Sequence, residues 1–144
     1  MIVIGKKEKI HRITQLALKL WPDNNYEELK SEILTFIDSY SAAILLFESE
    51  DSIVGYSQVS IRNDYVEGST SSPVGYLEGI YVDEGYRNMG IGKALLLACE
   101  NWAKEKGCLE FGSDTSLENY NSINFHLKCG FQEAARLVSF IKKI

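Results

Sequence analysis

A strand, a glycine-containing turn and a long amphipathic helix follow one another near the middle of the chain. The segment YLEGIYV at 76–82 has the composition of a strand, and a helical apolar stripe then runs from Gly90 to Gly107. Between them lies RxxGxGxA at 87–94. Its glycines let backbone N–H groups approach a ligand at a helix start, where unpaired donors and the helix dipole favour an anion. The segment predicts a phosphate site, with close helix packing as the alternative.

The glycine spacing excludes two common nucleotide-binding loops. It is not the GxGxxG of dinucleotide folds, and Lys93 is followed by Ala94, so the Ser or Thr of a triphosphate loop is missing.

Composition limits the number of domains, the cellular compartment and the kinds of partner that we expect for this protein. The 144 residues are 45% hydrophobic, which predicts one domain over 1–144. The net charge of −5, with scattered basic residues, argues against a nucleic-acid partner. Cys99, Cys108 and Cys129 match no metal framework, so reduced thiols and no metal are expected. The apolar run at 1–4 is too short for a signal peptide or membrane span, which predicts a cytoplasmic protein without membrane contact.

Hydrophobic periodicity predicts the remaining elements. Helices and strands alternate around what we expect to be a mixed sheet, an α/β or α+β sandwich. The predicted strands are 1–4, 42–47, 53–61, 74–82 and 108–111, with a closing strand or hairpin arm from Phe131, and the predicted helices are 10–21, 26–37, 90–107 and 119–128.

The segment Tyr76–Ala103 resembles the acetyl-CoA motif of the GNAT superfamily of N-acetyltransferases. The resemblance implies a mixed, mostly antiparallel central sheet with a splayed, bulged strand, flanked by about four helices. It implies acetyl-CoA as co-substrate, with the pantetheine arm on Ile80, Tyr81 and Val82. It places the pyrophosphate on the turn, at Arg87, Asn88, Met89, Gly90, Ile91, Gly92 and Lys93.

A second match is ENYNSINFHLKCGF at 118–131, which is similar to a GNAT helix and turn. The resemblance makes Asn119 a CoA contact. His126 stands where the family usually has a tyrosine that protonates the departing thiolate, and a histidine with pKa near 6.5 can also do so. A helical histidine held by packing and a hydrogen bond is the alternative.

Acetyl transfer to an amine requires a proton acceptor. At pH 7 only about one alkylammonium in a thousand is neutral, a deficit of about 4 kcal/mol. Glu78 lies within an apolar strand, where an unpaired charge is costly, so it is the candidate acceptor, with a structural ion pair as the alternative. Asp114 follows the next strand and can join it, unless it only caps the backbone.

Three further segments resemble one GNAT branch, the aminoglycoside 6'-N-acetyltransferases: SIRNDYVEGSTSSPVGYLEGIYV at 60–82, LWPD at 20–23 and SDTSLEN at 113–119. The resemblance implies a small cationic amine as substrate, an aminoglycoside acetylated at its 6'-amino group. It implies a homodimer, in which LVSFIKKI at 137–144 pairs within its chain or exchanges between chains. The aminosugar pocket would be lined by Trp21, Tyr65, Glu78 and Asp114.

The chain departs from this branch at two positions. Ala135 stands where the branch has a second acid, and Asn24 stands where it can have histidine. The change at Ala135 removes one expected substrate contact. Two other functions also stay open: acetylation of a polyamine, a small amine or a protein N-terminus, and a CoA-binding regulatory module without turnover, which His126 alone suggests.

Overall fold

Five strands form one sheet in the order β1-β2-β3-β4-β5, and four α-helices cover its faces. The computed structural model describes residues 1–144. Neighbouring strands are antiparallel except β4 and β5, which are parallel. This confirms the predicted fold class. The strands are β1 (Ile2–Ile4), β2 (Ala42–Ser49), β3 (Ser52–Arg62), β4 (Val74–Val82) and β5 (Phe111–Ser113), and the helices are α1 (Ile10–Leu20), α2 (Tyr26–Asp38), α3 (Ile91–Glu105) and α4 (Tyr120–Lys128).

The sheet is apolar on both faces because helices pack against both. Along β2, Ile44 and Leu46 join the core formed with α1 and α2, while Ala43 and Leu45 join the core formed with α3. Strands buried on two faces have apolar runs without alternation, which is why AAILLF lacks a polar side. No helix is both long enough and apolar enough to cross a membrane.

Strand β4 contains a bulge and then separates from β5. Gln58 pairs with Gly79 and Val59 with Leu77, so Glu78 is an extra residue on β4. The ladder to β5 ends at the pair of Leu77 with Ser113, and β4 continues to Val82 without a partner on that side. The predicted bulged and splayed strand is therefore present, and Glu78 lies at the point of separation.

The predicted strand at 108–111 begins later, at Phe111, because its first residues close α3. Gly107 has a φ of 89°, and its N–H donates to the Lys104 carbonyl at 3.0 Å. The N–H of Cys108 donates to the Ala103 carbonyl at 3.0 Å. This pair of bonds is a Schellman motif, which requires the left-handed residue that glycine supplies. The strand forms only after the chain has left this cap.

The predicted closing strand from Phe131 is wrong within the single chain. Residues 131–144 have no regular secondary structure, and no backbone N–H after Phe131 donates a backbone hydrogen bond. Leu137, Val138, Phe140 and Ile141 are 73% to 99% exposed. The apolar composition favours a strand, but a strand also needs a partner edge, and here the segment does not pair with its own sheet.

An ion-pair cluster fixes the end of β4 to α1. Asp83 accepts from Arg12 Nη2 at 2.6 Å and from Lys19 Nζ at 2.8 Å, and its side chain is 16% exposed. Partial burial opposes ionisation of Asp83, but hydrogen bonds and positive charge from Lys19 and Arg12 outweigh it and hold its pKa below the ordinary value. The cluster positions the chain immediately before the glycine turn.

Asp83→Asn is expected to lower the free energy of unfolding by about 1 kcal/mol at pH 7, because both partners are partly exposed. A folded-state pKa below the unfolded one stabilises the protein above about pH 4, and that contribution is lost as pH falls through the folded pKa. Urea unfolding at pH 7 and pH 2.5 measures it. Asp38→Asn is the control, since Asp38 only pairs with Lys7 on the surface. An equal difference between wild type and Asp83→Asn at both pH values would contradict this account.

Candidate active site

Consecutive backbone N–H groups at the start of α3 have no acceptor in the protein. The amides of residues 88–93 donate no hydrogen bond, whereas the amide of Ala94 donates to the Gly90 carbonyl at 3.0 Å. Asn88 and Gly90 have φ values of 61° and 80°, which turn the chain sharply into the helix. Free donors at the N-terminus of a helix make a site for an anion such as a pyrophosphate.

The open side of β4 supplies a second set of free backbone groups. The N–H of Asp83 donates to the Val54 carbonyl on β3 at 2.8 Å. Bonded positions alternate along an antiparallel pair, so the backbone of Tyr81 also faces β3, while that of Ile80 and Val82 faces the open side. The N–H and carbonyl of Ile80 and the N–H of Val82 can therefore pair with an extended ligand, whereas the Val82 carbonyl already accepts from Arg87 Nε. The backbone of Tyr81 is not available on this side.

The side chains around the turn suit a diphosphate ligand. Arg87 Nε donates to the Val82 carbonyl at 2.9 Å, and its guanidinium lies 5.3 Å from the centre of the Tyr81 ring. Lys93 and Met89 are exposed beside the free amides, and Ile91 anchors α3 in the core. Together the cationic side chains, the free amides and the open strand edge fit the pyrophosphate and the amide-containing arm of CoA.

Asn119 begins α4, where its side chain caps the helix by accepting from the Ser122 N–H at 3.1 Å. Helix α4 packs against the glycine turn, since a Cβ on Gly92 would lie 3.2 Å from the Phe125 ring. Asn119 is therefore held on an element that contacts the start of α3, with its amide nitrogen free of any bond within the protein.

Of the two predicted acids, Glu78 lies on β4 and Asp114 directly follows β5, the parallel neighbour of β4. Glu78 and Asp114 each follow the last pair of the β4–β5 ladder. The Glu78 side chain is 23% exposed and its Oε1 accepts from Ser60 Oγ at 2.7 Å. Asp114 is exposed and accepts from the Tyr76 hydroxyl. The structure thus brings both carboxylates to the place where β4 and β5 separate.

The two predicted aromatic residues differ in their surroundings. A Cβ on Gly79 would lie 2.6 Å from the Trp21 ring, so the indole covers the bulge beside Glu78. Tyr65 is 72% exposed and accepts from the Gly68 N–H at 3.2 Å. Trp21 is partly exposed and close to the acid, whereas Tyr65 lies on the loop between β3 and β4. The exposed Asn24 caps the turn after α1, and Ala135 belongs to the unpaired tail.

His126 is held by two protein groups. Its Nδ1 lies 2.7 Å from the Ser122 carbonyl, so Nδ1 carries a hydrogen, and its Nε2 lies 2.8 Å from Ser113 Oγ. Its ring also packs 5.0 Å from that of Phe131. Ser113 is the last residue of the β4–β5 ladder, which places His126 beside the gap between the strands.

Sequence reasoning did not find the groups that hold Glu78. Arg62 donates to both Glu78 carboxylate oxygens, at 2.8 Å and 2.9 Å from Nη2, and its guanidinium lies 3.4 Å from the centre of the Tyr76 ring. A usable signal existed: alternation places Ser60 and Arg62 on one face of β3 and Tyr76 and Glu78 on one face of β4. The predicted strand ends at Ile61 and leaves Arg62 in the following loop, whereas β3 continues to Arg62, so this one-residue error in the boundary hides the pairing.

The fold, the anion-binding turn and the open strand edge together define a CoA-dependent acyltransferase. Residues 8–131 match the model of the acetyltransferase (GNAT) family, and the chain belongs to this family.

The most similar curated relatives that we compared belong to one group of enzymes within this family. An aminoglycoside N(6')-acetyltransferase type 1 of Stenotrophomonas maltophilia is 40% identical over 126 residues, which are 88% of this chain and 82% of the relative.

Two solved structures are similar over the whole chain. The apo aminoglycoside antibiotic 6'-N-acetyltransferase AAC(6')-IG from Acinetobacter haemolyticus is 35% identical, with a TM-score of 0.94, covering 100% of this chain and 99% of that one. AAC(6')-Iy in complex with the bisubstrate analogue CoA-S-monomethyl-acetylneamine is 33% identical, with a TM-score of 0.95, covering 100% and 98%.

Proposed function

We propose that this protein transfers the acetyl group of acetyl-CoA to the 6'-amino group of an aminoglycoside, and that residues 1–144 work as one domain. The observation that carries the proposal is the open edge of β4, which lies between the free amides of 88–93 on one side and the paired acids Glu78 and Asp114 on the other. A relative that binds a bisubstrate analogue of CoA and an acetylated neamine supports the same assignment.

In the proposed reaction Glu78 accepts the proton that the amine loses, directly or through water. Acetyl-CoA supplies an acetyl thioester when bound. The amine nitrogen forms a bond to the acetyl carbonyl carbon, the carbon–sulfur bond breaks, and the CoA sulfur gains a proton. The N–H of Ile80 on the open edge polarises the carbonyl, and the amides of 88–93 fix the pyrophosphate. Trp21, Tyr65 and Asp114 line the aminosugar pocket, where aromatic faces and carboxylates suit ammonium groups.

The amine acceptor is tested by measuring CoA thiol release with a panel of amines. Neomycin and paromomycin are a matched pair, because they differ in carrying an amino group or a hydroxyl at the 6' position. We expect release with neomycin, kanamycin and tobramycin and none with paromomycin. Faster turnover on spermidine or a peptide would assign a different acceptor, and acetyl-CoA binding without any acetylation would make the protein a CoA-binding module.

We propose His126 as the acid for the departing thiolate: a proton on Nε2 passes to Ser113 Oγ, and the hydroxyl proton of Ser113 passes to the CoA sulfur. A thiolate with a reference pKa near 8.5 leaves with little assistance, so we expect His126→Phe to lower kcat only about tenfold. Steady-state rates at saturating substrates measure this. Unchanged kcat in both His126→Phe and Ser113→Ala would remove the acid role.

We propose a homodimer in the cytoplasm. The exposed apolar tail and the free outer edge of β5 support strand pairing between two copies, and three unpaired cysteines suit a reducing compartment. A two-fold dimer buries each tail residue in both copies. Burial of the two Phe140 side chains therefore contributes about 4 kcal/mol to the free energy of dimerisation.

Phe140→Asp is therefore expected to raise the dimer dissociation constant on the order of 1,000-fold. Light scattering across a concentration series measures it. Lys143→Asp is the control and should leave the dimer intact, because strand alternation places this exposed residue on the face opposite Phe140. A monomeric wild-type protein would contradict the proposal.

A further inference from the structure

The guanidinium of Arg62 is a positive charge inside a pocket otherwise suited to cations. It comes from the last residue of β3 and donates to Glu78 through Nε, 3.1 Å from Oε1, and through Nη2, 2.8 Å from Oε1 and 2.9 Å from Oε2. With the Ser60 hydroxyl, Oε1 has three donors and Oε2 has one. Oε2 is therefore the carboxylate oxygen with capacity left for another hydrogen.

Arg62 also connects Glu78 to the second acid. Its guanidinium stacks on the Tyr76 ring at 3.4 Å, and the Tyr76 hydroxyl donates to Asp114. Burial and then the hydrogen bond to Asp114 raise the pKa of Tyr76, so the phenol remains a donor at neutral pH. Arg62 thus binds Glu78 directly and reaches Asp114 through Tyr76.

The charge of Arg62 affects the amine as well as the acids. Glu78 and Asp114 bring two negative charges to the gap between the strands, and Arg62 cancels one of them. Two uncompensated carboxylates would favour the ammonium form of the acceptor, which cannot attack a thioester. Binding of this ground state lowers KM without raising kcat. A partly neutralised pair binds the ammonium less tightly and releases its proton more readily.

We propose that Arg62 is a positioning residue for acetyl transfer, which fixes Oε1 of Glu78, leaves Oε2 to accept the proton, and offsets one charge of the acid pair. The proposal rests on the acetyltransferase function proposed above. It assigns Arg62 an effect on kcat that is separate from the binding of either substrate.

The test compares Arg62→Gln and Arg62→Lys with wild type, using neomycin and acetyl-CoA. We expect Arg62→Gln to lower kcat 10- to 100-fold, since loss of orientation alone has effects of that size. KM for neomycin should stay equal or fall, and KM for acetyl-CoA should not change. Arg62→Lys keeps the charge but not the two-pronged geometry, so its kcat should lie between the others. Lys104→Gln, which removes a positive charge from the exposed end of α3, is the control.

A second measurement, of salt dependence, tests the effect of the Arg62 charge separately from its hydrogen-bond geometry. With one more uncompensated negative charge, kcat/KM of Arg62→Gln for neomycin should fall more steeply with added salt than that of wild type. Wild-type kcat in Arg62→Gln, or a kcat loss with raised KM for both substrates and a lower melting temperature, would overturn the proposal. If Arg62→Gln does not fold, Arg62→Lys provides the test. A kcat below that of wild type with an unchanged salt response supports the proposal, and a wild-type kcat contradicts it.

Failure of the proposed function is a different result, because wild type would then release no CoA with neomycin. The Arg62 comparison is in that case made with the panel amine that wild type acetylates, and equal kcat values there would overturn the positioning role.

Discussion

Glu78→Gln is expected to lower kcat/KM for neomycin by about 100- to 1,000-fold, the size of effect that loss of a general base has. The substitution keeps the shape of the side chain but removes the proton acceptor. It also leaves Arg62 without its carboxylate partner, so the pocket presents an unpaired positive charge to an ammonium group. Binding and chemistry should therefore both suffer, whereas the affinity for acetyl-CoA should stay the same.

Steady-state kinetics and calorimetry with acetyl-CoA separate these effects. Glu67→Gln is a matched control, because Glu67 is an exposed acid on the loop between β3 and β4 and lies outside the Glu78 network. It removes the same charge and should change kcat/KM little. Wild-type activity in Glu78→Gln would remove this residue from the mechanism and would favour water as the proton acceptor.

Gly90→Val is expected to raise the dissociation constant for acetyl-CoA about 5- to 30-fold. Gly90 has a φ of 80°, and a β-branched residue in this left-handed region costs about 1–2 kcal/mol. A Cβ at Gly90 would meet nothing within 4 Å, so the cost is conformational and steric clash is excluded. The chain relieves this strain by rotating the turn. The amides of 88–93 then no longer point at one pyrophosphate, and the affinity for CoA falls.

Gly85→Val is the control for this experiment. Gly85 lies five residues earlier, a Cβ there would also meet nothing within 4 Å, and its φ is outside the left-handed region. Calorimetric titration with acetyl-CoA and with free CoA measures both variants. Unchanged affinity in a folded Gly90→Val protein would show that the turn does not hold the cofactor.

The sequence predicts well the backbone features that shape the candidate site. The turn at Asn88 and Gly90 and the Schellman cap at Gly107 are local features, set by which residues tolerate a left-handed φ. The apolar run of β2 likewise indicates a strand covered on both faces. Such features depend on neighbours in sequence, so periodicity and residue type are sufficient to find them.

Side-chain contacts between strands were not predictable to the same degree. The bond between Arg62 and Glu78 joins residues 16 apart, and its partners depend on the β3–β4 register. A bulge at Glu78 changes that register; the family resemblance implied a bulged strand, but it did not give the position of the bulge or the residues that then face each other. Glu78 was identified as a buried acid needing an explanation, but its partners came only from the fold.

The amino-acid sequence by itself indicated the family through its motifs. It also determined the order of elements as far as α4 and the glycine turn before α3, because hydrophobic periodicity and short-range backbone preferences encode them. Tertiary structure alone decided that Arg62 orients Glu78, that Tyr76 connects the pair to Asp114, and that the apolar tail does not pair with its own sheet. These outcomes depend on strand register and on which edges remain free, and such properties arise only when distant segments pack together.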